Sequence, residues 1–220
     1  MTAREDMLTS IRASLVGPKT DSAVLHRPIE RRYRRFGRLA NEDCVQLFIN
    51  RLADYDADTL QVESEDHLPN AIADALQPIN KKNEKYALVA PTFPIAWLPL
   101  GFNFRPDHDL PIDVIEGAQA VVTTCEAAVA STGTLILVHH GNQARRVLTL
   151  LPDYHICLVR RDQVFELLPA ALEVVVRNVT CPITMISGPS ATSDIEMIRV
   201  RGVHGPRHLT IVLYGSLVHS

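Results

Sequence analysis

Apolar positions recur along this chain with two different periods. From Asn41 onward, Cys44 or Val45, Phe48, Leu52 and Tyr55 return every three or four residues. That spacing predicts a helix with one buried face and Asn41 as its N-cap. A second helix is expected from about Pro69, with Ile72, Ala75 and Leu76 inward, since proline is tolerated in a first turn. Leu8, Ile11 and Leu15 describe a shorter amphipathic helix that Gly17-Pro18 ends. The other pattern is the short continuous apolar run. "YALVA" (86–90), "AVVTT" (120–124), "TLILV" (134–138), "ICLV" (156–159), "ITMIS" (183–187) and "LTIVL" (209–213) read as strands. Runs of this kind, covered on both faces, are typical of parallel sheets. Between them, alanine-rich "CEAAVAS" (125–131) reads as one or two helical turns. "DQVFELLPAALEVV" (162–175) reads as a helix carrying Val164, Leu167, Leu168, Ala171 and Leu172 on one stripe, with Pro169 weakening its middle. Strands divided by helices predict an α/β fold with a mainly parallel sheet flanked by helices. Residues 91–111, "PTFPIAWLPLGFNFRPDHDLP", hold five prolines, three of the six phenylalanines and the one tryptophan. They predict an irregular loop, serving as a lid, a contact surface or a stiff cover.

Composition changes this picture at the N-terminal end. Residues 1–40 are expected to be a helix and an arginine-rich arm, and residues 41–220 a single α/β domain. The arm, "HRPIERRYRRFGR" (26–38), carries six arginines. It could bind nucleic acid or an acidic partner, or lie over its own body or a neighbouring subunit of a homo-oligomer. The formal net charge of -3 argues against a nucleic-acid footprint and favours the second reading. No apolar run is long enough for a membrane span, and "MTAREDMLTS" has no apolar signal core, so a soluble, cytoplasmic chain is expected. Cys44, Cys125, Cys157 and Cys181 show no C-x-x-C spacing and sit among apolar neighbours. They read as buried thiols, not as ligands of a metal or an iron–sulfur cluster.

Candidate chemistry collects in three polar loops. "ASTGT" offers Ser131, Thr132, Gly133 and Thr134, hydroxyls and a flexible corner that can direct amide hydrogens at an anion. "SGPSATSDIE" breaks a strand at Gly188-Pro189 and then crowds Ser190, Thr192, Ser193, Asp194 and Glu196 into seven positions. A helix start needs one capping oxygen, so the surplus faces solvent, a ligand or another loop. "GVHGPR" brackets His204 between two glycines, where an imidazole near carboxylates can act as acid or base. Ligands of open α/β sheets bind at strand ends, and parallel strands would place these loops on one edge. Thr132, Gly133 and Thr134 are therefore expected to approach Gly188, Ser190, Thr192 and Asp194, with His204 at the rim. From the residues alone the chain is an α/β protein with a polar pocket for a small anion.

Taken together, "AVASTGTLIL", "LPDYHICLVRRDQVFELLPAAL" and "SGPSATSDIEMIRVRGVHGPRHLTIVL" resemble the LUD-domain family, over roughly residues 41–213. The resemblance implies a fold like that of sugar-phosphate isomerases, CoA transferases and formyltetrahydrofolate cyclo-ligase, the NagB/RpiA/CoA-transferase-like fold. It also implies a part in oxidising L-lactate to pyruvate beside two sister proteins that carry iron–sulfur clusters. This chain lacks ferredoxin-like cysteines and reads as the cluster-free component. It is expected to hold no cofactor alone, and to bind a small carboxylate or phosphate and the iron–sulfur partners. Where the family often has an acidic residue before T-G-T, this chain has Ser131. Asp194, Glu196 and His204 are the candidate catalytic groups. Ser131, Thr132, Gly133, Thr134, Gly188, Ser190 and Thr192 are the candidate ligand-binding ones, and no metal ligand is expected. Whether the chain catalyses anything stays open at this point. The alternative is a free-standing small-molecule enzyme using the same pocket.

Overall fold

A computed structural model describes residues 2–15, 32–79, 86–176, 180–192, 200–201 and 204–216. The chain divides into two units, residues 1–34 and 35–220. In the first unit, α1 (Ala3–Ser14) begins with a capping box in which Thr2 and Glu5 satisfy each other's backbone amides. Met7, Leu8, Ile11 and Leu15 are exposed on this helix.

In the second unit, α2 (Asn41–Asp54) buries Cys44, Val45, Phe48 and Leu52, as the periodicity predicts. Its N-cap is Ala40 and Asn41 is the first helical residue, so the cap makes no side-chain hydrogen bond. The remaining elements are β1 (Asp58–Gln61), α3 (Leu68–Leu76), β2 (Ala87–Val89), β3 (Phe104–Pro106), α4 (Ile112–Glu116), β4 (Ala120–Thr124), β5 (Ala127–Val129) and β6 (Thr134–Val138). They continue with β7 (Tyr154–Arg160), β8 (Val164–Phe165), α5 (Leu168–Val175), β9 (Ile183–Ser187), β10 (Ala191–Thr192), β11 (Val200–Arg201) and β12 (His208–Tyr214). Six strands form one sheet in the order β1-β12-β7-β4-β2-β3, every pair parallel. A second sheet, β8-β5-β6-β9, is mainly antiparallel.

Alternation along the strands builds the layers. Ile156 and Leu158 of β7 and Val212 of β12 join α3 and α4 in one core. Cys157, Val159, Ile211 and Leu213 point the other way, into a core shared with α2 and with Leu135 and Leu137 of β6. The opposite side of the second sheet, through Ile136 and Val138, packs on α5.

The structure revises the sequence reading at three segments. "CEAAVAS" is mostly strand, with helical geometry only in the short turn that begins at Ala130: Ala127 and Val129 face the α5 core while Ala128 faces the α2 core, all fully buried. A strand pressed between two cores has room only for small side chains, which is why it looks like a helix in composition. "DQVFELLPAALEVV" splits into β8 and the shorter α5, with Pro169 in the helix's first turn instead of its middle. The proline-rich segment includes β3, paired with β2 at the sheet edge, where Pro106 closes the strand without leaving a ladder donor missing. Of the basic arm, residues 35–39 lie on the domain's own body. Glu166 accepts the amides of Arg38 and Leu39, and Arg35 pairs with Glu173 at 3.0 Å. Arg27 and Arg31 lie outside the described residues. Among the described residues no helix is long and apolar enough to cross a membrane.

Candidate functional site

β6 and β9 run antiparallel, with Thr134 opposite Ser187. This ladder, and not a shared parallel edge, sets the T-G-T turn beside the Gly188-Pro189 corner. Three hydroxyls connect the two: Thr132 Oγ1 lies 2.7 Å from Thr134 Oγ1, which lies 2.8 Å from Ser187 Oγ. Gly133 is left-handed, φ 59°, and Gly188 likewise, φ 78°. Both sit tightly on the end of α2. A Cβ on Gly133 would stand 3.0 Å from Arg51 Cβ, and one on Gly188 would stand 2.5 Å from Tyr55 Cβ. Ser131 belongs to the turn Ala130–Thr132, and its amide donates to the Glu166 carbonyl.

Beyond the corner, the Ser190 amide donates to the Pro206 carbonyl at 2.8 Å, and Ser190 Oγ accepts the His204 amide at 3.3 Å. These bonds fold the loop of His204 and Gly205 over the strand end. They border a half-open cavity of about 270 Å³ whose lining includes Gly188, Ser190 and His204. Its walls come from both sheets: His155 at the start of β7, Leu209 at the start of β12, and Thr184 and Ile186 of β9. The cavity therefore lies toward the amino ends of two central parallel strands, not the carboxyl ends where ligands of such sheets are usually found. Thr132, Gly133 and Thr134 do not line it. Thr134 shares the strand face of Ile136 and Val138, which is directed at α5. Thr192 pairs with Val200 through the backbone. Asp194 and Glu196 lie outside the described residues.

His155 was not distinguished by sequence reasoning. It is 1 % exposed, and its Nε2 lies 2.8 Å from Thr123 Oγ1 on β4. Burial pushes its pKa down to about 4, so the ring is neutral at physiological pH. The available signal was a histidine inside an otherwise apolar strand, since a buried polar ring needs a partner.

A second cleft opens at the carboxyl ends of β2 and β3, lined by Asp107, Asp109, His139, His140 and Arg145 among others. Arg145 Nε donates to Asp107 Oδ2 at 2.6 Å, and the Leu110 amide donates to Oδ1. Burial alone would raise the Asp107 carboxyl. The Arg145 and Leu110 hydrogen bonds, with the Arg145 charge, outweigh it and hold the pKa below the ordinary value. His139 Nδ1 lies 3.0 Å from the Ala144 carbonyl and Nε2 lies 2.7 Å from Thr184 Oγ1. Ala144 has φ 62° and ψ 179°, a region populated almost only by glycine. Ala144→Gly should therefore stabilise the protein by about 1 kcal/mol, the strain relieved less glycine's entropy in the unfolded chain. A lower thermal midpoint for that variant would show that the backbone is unstrained there. Among the described residues no group of three or more His, Cys, Asp or Glu side chains is placed to hold a metal ion. The four cysteines are unpaired, with Cys44, Cys125 and Cys157 buried.

A parallel sheet backed by a smaller sheet, with a half-open cavity of mixed polar and apolar lining where they meet, defines an α/β protein with a small-molecule-sized pocket. Comparison with known proteins makes this specific. Residues 112–214 match the LUD domain. Lactate utilization protein C of Deinococcus radiodurans is 37% identical over 216 residues, 97% of this chain and 96% of that protein. Lactate utilization protein C of Bacillus subtilis is 32% identical over 104 residues, 44% of this chain and 43% of that protein. A crystal structure of a DUF162 family protein from Deinococcus radiodurans superposes with a TM-score of 0.69 at 35% identity, covering 81% of this chain and 100% of that one. The chain belongs to the LUD-domain family, in the group of the lactate utilization C proteins.

Proposed function

We propose that this chain is the cluster-free component of a lactate utilization system, working with iron–sulfur partner proteins that oxidise L-lactate to pyruvate. The observation that carries this reading is the 37% identity to a lactate utilization protein C along 97% of the chain. The cysteine arrangement agrees with it, three of the four thiols being buried and none paired. The small carboxylate of the reading is assigned to the inter-sheet cavity, where Ser190 and His204 close one side. Deleting the gene from its host should abolish growth on L-lactate as sole carbon source, and the wild-type gene should restore it. The tagged chain, purified from lactate-grown cells, should bring down two iron–sulfur proteins. Undiminished growth of the deletion strain would remove the proposal. Turnover of a small substrate by the purified chain alone would replace it with the free-standing enzyme.

A further inference from the structure

We propose that the inter-sheet cavity takes a short-chain 2-hydroxy or 2-oxo monocarboxylic acid, with Nδ1 of His155 as the hydrogen-bonding anchor for its C2 oxygen. The choice of acid rests on the lactate reading above; the anchor rests on the geometry. His155 is 1 % exposed, yet among the described residues only its Nε2 has a partner, the hydroxyl of Thr123. Leaving a buried polar atom unpaired is costly, so an empty Nδ1 calls for a ligand or a water. Among the described residues the one partnerless side-chain polar atom fully sealed from solvent is Gln119 Oε1. His155 lines the cavity, so the cavity is the side from which a ligand or a water reaches its ring.

Thr123 makes this anchor versatile. Its hydroxyl can accept from Nε2–H, which leaves Nδ1 a lone pair for an incoming alcohol O–H. It can instead donate to Nε2, which leaves Nδ1–H to donate to a keto oxygen. One ring can thus hold both the hydroxyl and the keto form of a C2 oxygen without a change of net charge. The remaining lining suits the rest of such a molecule. Leu150, Ile186 and Leu209 give an apolar wall for a short alkyl group. Ser190 Oγ, which accepts the His204 amide, keeps its own proton to donate to a carboxylate at the mouth. No Lys or Arg is in the described lining, so a carboxylate must stay near water and not penetrate the cavity. A cavity of about 270 Å³ has room for a three- to five-carbon acid.

The test uses the full chain with 15N-labelled histidine. L-lactate, pyruvate and inorganic phosphate are titrated separately, and the two ring nitrogens of His155 are followed by long-range 1H–15N spectra. Both acids should shift Nδ1; the acid that fits the tautomer of the free protein should leave Nε2 nearly in place, the other should move Nε2 in the opposite sense as the proton changes nitrogen, and phosphate should shift neither nitrogen. His155→Gln places its amide where Nε2 meets Thr123 and abandons the Nδ1 position; acid affinity should fall about tenfold, the worth of one such hydrogen bond. His155→Asn places its amide near Nδ1 and should hold affinity within about threefold of wild type. The opposite ranking would make His155 a structural partner of Thr123 and overturn the proposal. So would an absence of Nδ1 shift with either acid at tens of millimolar. Should either variant fail to fold, the wild-type shifts decide. A chain that restores growth on lactate but shows no Nδ1 shift fails here alone. One that shows the shift but does not restore growth fails only the lactate reading.

Discussion

Acidifying the protein from pH 7 toward pH 4 is expected to cost about 3 kcal/mol of stability through the single ring of His155. Burial holds that ring near pKa 4 in the folded chain, against 6.5 when it is free in water. Each unit of difference corresponds to about 1.4 kcal/mol. The sign follows from proton counting. Below 6.5 the unfolded chain binds a proton that the folded chain refuses, so stability falls as pH drops through this window. Above 6.5 both states are neutral and the contribution is flat. Asp107 acts at lower pH, because its depressed carboxyl loses stabilisation only as pH falls through the carboxylate range. Urea midpoints at pH 7.5, 6 and 5 for wild type and His155→Gln should diverge, with the variant losing less. Parallel curves would show that protons reach the ring in the folded protein.

Gly188→Ala should be more damaging than its size suggests, at about 3 kcal/mol or more. Two penalties combine there. The φ of 78° is left-handed, which costs a residue with a Cβ about 1–2 kcal/mol. The new methyl would also stand 2.5 Å from Tyr55 Cβ and 3.0 Å from its Cγ. Those atoms are the root of a side chain on the helix end, so they cannot swing away, and overpacking of this kind costs about 1–3 kcal/mol. Truncating Tyr55 to alanine leaves its Cβ in place and should not rescue the variant. Gly205→Ala is the internal comparison. Its Cβ would meet Ser190 Cβ at 3.3 Å, a tight contact that a shift of a few tenths of an ångström relieves, and no left-handed φ adds to it, so the loss should stay near about 1 kcal/mol. Denaturant unfolding of the two variants decides the matter. Equal losses would show that the Gly-Pro corner can move off α2. The same geometry changes the meaning of Gly133. A valine there would strike Arg51 before it could obstruct a ligand, so its first effect is on helix packing.

Elements whose burial has one period were legible in the sequence. The stripe Cys44, Phe48 and Leu52 gave α2, and "TLILV" and "LTIVL" gave strands that are buried throughout. What escaped was context. Ala127 and Ala128 look helical because alanine is the best helix former, but here two cores on opposite faces demand small residues in a strand. The second sheet also escaped, although Ile183 and Met185 are exposed and Ile186 packs inward, an alternation typical of a half-covered strand. Gly188, Ser190 and His204 share one cavity because β10 and β11 return the chain to the corner within a few residues. The T-G-T hydroxyls were expected there too, but strand parity turns Thr134 to the other face. His155 and Thr123 meet across β7 and β4, thirty-two positions apart. No local pattern announces such a pair.

The placement of β12 governs the order in which the molecule can assemble. β1 pairs with β12, and β12 in turn bridges β1 to β7. About 150 residues separate β1 from that partner, so closing the pair costs loop entropy that earlier contacts cannot repay. During synthesis β1 emerges early and waits, an orphan edge, while β2, β3, β4 and β7 are made and can zip together. Newly made chains are thus expected to pass through a stage with a partial sheet and the future berth of β12 open. Mutations in "HLTIVLY" would then slow maturation and raise dependence on chaperones well before they alter the finished protein.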